Sequence, residues 1–188
     1  MTGTVTAWDP PKHVAYRSDG PDKRFIAFEY LIEARDQSST VLRLVSNGFL
    51  PDDDWEAEFE AMTAGGEMYF RTLVAYLDHF AGRFATPLNV TGPPVVDWPT
   101  AWAGLRTGLG VGDQPAVGDA VRVTVPGVPG LAGLVDFVNS QALGIRTADG
   151  LYRFIQGHVG GFVLGHHLFA HPDEKQAGQA WKTWLAGL

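Results

Sequence analysis

No cysteine occurs among the 188 residues, which excludes disulfides, a thiol nucleophile and a thiolate-bound metal. Basic residues are few as well. Ten Arg and four Lys are scattered through a chain of net charge -7, with no basic patch or stripe. The electrostatic footprint of a nucleic-acid binder is therefore missing, and an acidic surface is repelled by anionic membranes. No apolar run approaches the length of a membrane span. The start, Met1-Thr2-Gly3-Thr4-Val5, lacks the basic and apolar regions of a signal peptide. The expectation is a cytoplasmic protein with neither nucleic acid nor membrane as partner. Phosphate-binding and nucleophile motifs are absent too: no G-x-S-x-G elbow, Walker loop or G-x-G-x-x-G follows a candidate strand. Gly108-Leu109-Gly110-Val111-Gly112 follows a helix and reads as a loop.

What is present is an ordinary hydrophobic share of 45%, enough for one large domain or two small ones. Residues 3–48 read as an antiparallel β region. Strands are predicted at Thr4–Trp8, His13–Arg17, Arg24–Arg35 and Thr40–Ser46, separated by Asp9-Pro10-Pro11, Ser18-Asp19-Gly20-Pro21 and Asp36-Gln37-Ser38-Ser39. In the third strand Ile26, Phe28, Tyr30, Ile32 and Ala34 share a face. After the Asn47-Gly48 break, Pro51-Asp52-Asp53-Asp54 puts negative charge at the start of a long helix, where the macrodipole favours it. Trp55, Phe59, Met62, Gly66, Tyr69, Leu73, Leu77 and Phe80 then recur every three or four residues, a stripe broad enough to lie across the preceding sheet. The helix stops near Gly82.

Residues 84–96 hold Pro87, Asn89, Gly92, Pro93 and Pro94 and read as a linker. The domain expectation is thus 1–84, a linker at 85–96, and 97–188. In the second half Asp97 caps a short helix with Pro99 in its first turn and Trp98, Trp102, Leu105 and Leu109 on one side. Strands are expected at Ala120–Val125, Leu131–Val138, Ala142–Thr147, Leu151–Ile155 and Phe162–Phe169, with Asp149-Gly150 as a hairpin signal. Pro172-Asp173-Glu174 opens a last helix with Ala177, Trp181, Trp184 and Leu185 inward. Each half runs strands first and helix last, so the class is α+β, the second half reading as a divergent repeat of the first.

The segment Trp8-Asp9-Pro10-Pro11, then Ser39-Thr40-Val41-Leu42-Arg43, Ser46-Asn47-Gly48-Phe49 and Leu73-Val74-Ala75-Tyr76-Leu77 resembles the later part of the START-like, or SRPBCC, superfamily. The branch is the one named for the activator of the heat-shock chaperone ATPase. The resemblance covers residues 3–82. It implies a helix-grip half, an antiparallel sheet closed on a long helix around a cavity. Two features depart from the family pattern: its Gly-Trp is Gly65-Gly66 here, and its opening strand and two small helices have no counterpart before Thr4. The resemblance implies a non-enzymatic module for a small hydrophobic ligand, with a chaperone-regulator-like protein-interaction role as the alternative and cyclase- or hydrolase-like chemistry as a third. A homodimer is expected, covering the sheet edge and groove that the missing elements leave open.

The residues that would line the groove are Phe28, Tyr30, Phe59, Met62, Tyr69 and Phe70, with Arg43 as a polar anchor for an acidic ligand group. Apolar stripes of this kind pack cores more often than they line pockets. No catalytic set, metal or cofactor is expected. His166 and His167 are adjacent, so a strand sends them to opposite faces, and neither has a carboxylate at metal-ligand spacing. Asp52, Asp53, Asp54, Glu56 and Glu58 lack the glycine turn and spaced Glu of a calcium loop. Asp9 and His13 are an acid/base pair without a nucleophile.

Overall fold

A computed structural model describes residues 2–20, 24–35, 39–49, 55–127, 130–157 and 160–188, without the side chains of residues 2, 49 and 55–62. The chain divides into two compact units, Met1–Phe59 and Glu60–Leu188. The class is α+β, with two antiparallel sheets and three helices among the described residues.

The first unit is a four-stranded meander of β1 (Thr2–Asp9), β2 (His13–Asp19), β3 (Phe25–Arg35) and β4 (Ser39–Phe49), in that order. Alternation sorts its two faces. On one, Tyr16 stands opposite Phe28, Tyr30 opposite Leu44 and Ile32 opposite Leu42. The Tyr16 and Phe28 rings lie 5.3 Å apart, and Tyr16 stacks on Tyr30 at 6.3 Å. The other face is polar: His13 Nε2 lies 2.8 Å from a Glu29 carboxylate oxygen, and Arg43 pairs with Glu33 at 3.7 Å. His13 therefore engages Glu29 across β2 and β3, while in the β1–β2 register it stands opposite Asp9. No described hydrophobic residue of this unit is fully buried.

The second unit takes up helix α1 (Trp55–His79) from Glu60 onward, then β5 (Thr86–Pro94), α2 (Trp98–Gly108), β6 (Ala120–Val123), β7 (Leu131–Val138), β8 (Ala142–Thr147), β9 (Gly150–Gln156), β10 (Gly161–Leu168) and α3 (Glu174–Leu185). Its sheet runs β5-β10-β9-β8-β7-β6, antiparallel throughout, so the first and last strands are neighbours. The stretch read as a linker is strand β5. Its prolines stand on an edge strand, where a missing N–H leaves no ladder gap, while Leu88 and Val90 alternate into the core.

Two helical layers cover this sheet, and β9 shows the division. Tyr152 and Phe154 join the core under α2 and α3, with Leu105, Leu109, Leu143, Ile145, Leu164 and Trp181. Leu151 and Ile155 face α1, with Met68, Phe80, Phe137 and Phe169. Each fully buried Leu or Phe contributes about 1.5–3 kcal/mol.

The buried line of α1 differs from the expected one. Met68, Thr72 and Phe80 are buried, with Ala75 and Tyr76 half-buried beside Phe80, whereas Tyr69 and Leu77 are 64% and 56% exposed. The inward face is rotated by about one residue, or 100°, from the Tyr69–Leu77 line. The cause is the β-sheet surface it meets. Arg153 projects from β9 toward α1, and its Nε donates to Thr72 Oγ1 at 2.7 Å. Both its Nη atoms bond the Asp136 carboxylate at 2.9 Å. Gly144 is needed beside this fork, since a Cβ there would sit 2.7 Å from Asp136 Oδ1. Asp52, Asp53 and Asp54 lie outside the described residues, as do the side chains of Trp55, Glu56, Glu58, Phe59 and Met62.

Candidate functional site

A cleft of about 450 Å³ opens in the second unit between α2, the segment Asp113–Pro115 and the β7–β8 turn. Local sequence sets each wall. Asp97 caps α2 by accepting the Thr100 N–H at 3.3 Å, and Pro99 occupies the first turn, where its missing N–H costs nothing. Trp98, Trp102 and Arg106 then follow at intervals of four and share one side of the helix. Trp98 and Trp102 both meet Phe162 edge-to-face, at 5.2 and 4.9 Å. Gly110, with φ 65°, ends the helix in the left-handed conformation that suits glycine, and the chain returns over the cleft.

The opposite wall is the β7–β8 turn. Asn139 Oδ1 accepts the Gln141 N–H at 2.9 Å, and its Nδ2 donates to the Ala64 carbonyl of α1 at 3.2 Å. Gln156 at the end of β9 is held by Trp102, whose Nε1 donates to Gln156 Oε1 at 3.1 Å. Val138, Ala142 and Leu143 supply the apolar floor. A second cleft of about 230 Å³ lies at the other end of the strands, beside Thr147, Asp149 and Tyr152. Burial, then the Asp149 charge, pushes the Tyr152 hydroxyl up to about 12, so it stays protonated.

Under α3 lies His166. Its Nδ1 accepts the Arg153 backbone N–H at 3.1 Å, and its ring meets Trp181 at 4.8 Å and Tyr152 at 4.9 Å. Burial, reinforced by the Arg153 charge, lowers it to about 3, so the ring is neutral. Its Nε2 and Trp181 Nε1 are enclosed without hydrogen-bond partners. His167 takes the opposite face and is also lowered, first by burial and then by Arg153. Among the described residues no three His, Asp or Glu are grouped as a metal site requires, and His158 lies outside them.

The expected groove residues are dispersed. Phe28, Tyr30 and Arg43 belong to the first unit, with Arg43 on the polar face of its sheet, opposite to Phe28 and Tyr30. Tyr69 and Phe70 belong to the second unit and are exposed. The Phe59 and Met62 side chains lie outside the described residues. Among the described ones, none lines either cleft. The cleft's own helix face is legible in the sequence: Trp98 and Trp102 share the expected side of the short helix, and Arg106 follows four residues on. Asn139 and Gln156 had no sequence signal, since they meet α2 only through the sheet.

Compared with models of known families, with curated proteins and with solved structures, the chain matches none. The cleft's chemistry rests on its own residues: two indole faces and a short apolar floor, interleaved with charged and amide side chains.

Proposed function

We propose that the chain is a non-enzymatic binding module that holds a small, largely apolar molecule, and that its site is the α2 cleft. The observation that carries this is the cleft itself. Its volume of about 450 Å³ is that of a small-molecule site, and two indole rings with Val138, Ala142 and Leu143 give it an apolar surface beside polar groups that include Arg106, Asn139 and Gln156. The START-like reading is supported by the order of the second unit: a strand, a helix, a run of antiparallel strands and a closing helix. On that reading the ligand site moves from the N-terminal groove to the second unit. The protein-interaction alternative needs an exposed apolar patch, for which Trp98, Trp102, Trp181 and Trp184 are the candidates, and it has little support. Trp181 has no exposed surface, and the other three pack against the core.

Native mass spectrometry of the purified chain tests the proposal. The expected result is an extra mass that disappears on denaturation and is lost in Val138→Phe, which fills the cleft. A bare mass, or an extra mass that Val138→Phe retains, would refute the cleft as the site. The same spectra report the homodimer expected from the sequence, as a mass at twice the chain.

A further inference from the structure

We infer that the cleft selects a planar, largely apolar acid, whose anionic group is held by Arg106 while its body lies against Trp98 and Trp102. The inference rests on the cleft reading above and adds the chemical class of the ligand.

The chain treats two arginines of the second unit differently. Arg153 is buried and has its Nε and both Nη atoms bonded, to Thr72, to Asp136 and to the Tyr152 carbonyl. Arg106 lines the cleft half-buried, and its guanidinium has neither a hydrogen bond nor an ion pair among the described residues. Its Nε is enclosed and unpartnered. A donor taken out of water with no acceptor is unfavourable, more so on a charged group. Arginine's planar fork matches a carboxylate's two oxygens, so an acid entering the cleft removes that cost.

Two simpler accounts explain less of this. The last turn of α2 is the negative end of its dipole and favours a cation there. That accounts for the charge, but a solvated Lys or Arg would serve equally, and it leaves the enclosed Nε unexplained. Asp113 also lines the cleft and opposes an anion. It is exposed, however, and water and salt weaken its field more than that of the half-buried guanidinium. The apolar part of the ligand follows from the walls. Trp98 and Trp102 are fixed edge-on against Phe162, and Trp102 is further tied to Gln156. Rings held in this way give a flat body contact area at little entropic cost.

Calorimetric titration of the full chain at low salt, with three probes of one shape, tests this: 2-naphthoate, 2-naphthamide and 2-naphthylmethylammonium. The naphthoate is expected to bind about tenfold tighter than the amide, with the ammonium weakest. Arg106→Gln should bring the acid to the level of the amide, and Arg106→Lys should restore part of the gap. Val138→Phe should weaken all three. Because Arg106 is unpartnered, Arg106→Gln should melt within about 3 °C of the parent; a larger drop would make the residue structural and overturn the inference. Equal binding of acid and amide, or tightest binding of the ammonium, overturns the acid anchor. If Val138→Phe still weakens those probes, the cleft stands. Absence of binding by all three, or indifference to Val138→Phe, overturns anchor and cleft together.

Discussion

Arg153 joins three elements through one guanidinium: β9 carries it, Asp136 on β7 neutralises it, and Thr72 brings α1 to it. A buried pair of this kind is close to neutral against an apolar replacement of both partners, but removing one partner strands the other. Arg153→Met leaves the Asp136 carboxylate, only 12% exposed, without its cation. The expected loss is about 3–5 kcal/mol in chemical denaturation, and pairing it with Asp136→Leu should recover most of that. A small loss in the single variant would mean that water reaches the carboxylate. His166 makes a second residue-scale prediction. Its folded value of about 3 lies below the ordinary 6.5, so between these values the unfolded chain binds the extra proton. Stability is unaffected by this group above pH 6.5 and falls as pH drops toward 3, by at most about 1.4 kcal/mol per pH unit. Urea midpoints from pH 7 to pH 4 should fall less steeply in His166→Leu than in the parent. Equal slopes would show the ring to be solvated or protonated in the fold.

At the scale of elements, α1 shows how a helix with apolar residues on more than one side is oriented by what it meets. Of the expected stripe, Phe80 is buried and Leu73 half-buried, yet Tyr69 and Leu77 are exposed and Met68 and Thr72 take the buried positions beside them. The sheet offers Phe137, Ala142 and Ile155 to Met68, and Leu151 and Phe169 to Phe80. Met68→Ala is therefore expected to cost about 2–5 kcal/mol. Tyr69→Ala should change stability by no more than about 0.5 kcal/mol. Thermal or urea unfolding of the two variants checks the order, and a reversed order would restore the Tyr69 stripe as the buried one. The strand at Thr86–Pro94 teaches a related lesson. Proline and glycine mark a break only when the residues between them do not alternate, and Leu88 and Val90 do.

At the scale of the whole molecule, the two units differ in how much apolar surface each removes from water. The second holds every fully buried hydrophobic side chain among the described residues; the first holds none, and Trp8 is 71% exposed. A sheet with little buried area opens at low free energy, because its ladder hydrogen bonds compete directly with water. Hydrogen exchange should therefore be fast in β1–β4 and slowest in β8–β10, read peptide by peptide by mass spectrometry. Comparable protection in the two sheets would show that the first is covered in solution.

The sequence by itself determined the elements. Strand alternation, the Asp97 and Asp173 caps and the turn residues placed three helices and nine of the ten described strands within a few residues, β5 being the exception. These signals are local, because period and capping depend on neighbours along the chain. Tertiary structure alone decided which sheet took α1 from Glu60 onward, which side of that helix faced inward, and that β5 closed against β10. Those outcomes depend on pairing and packing between residues far apart in the chain. The cleft belongs to the same category. Arg106 reaches Trp102 by helix geometry, but Asn139 and Gln156 reach it only because β7, β8 and β9 are neighbours in the sheet.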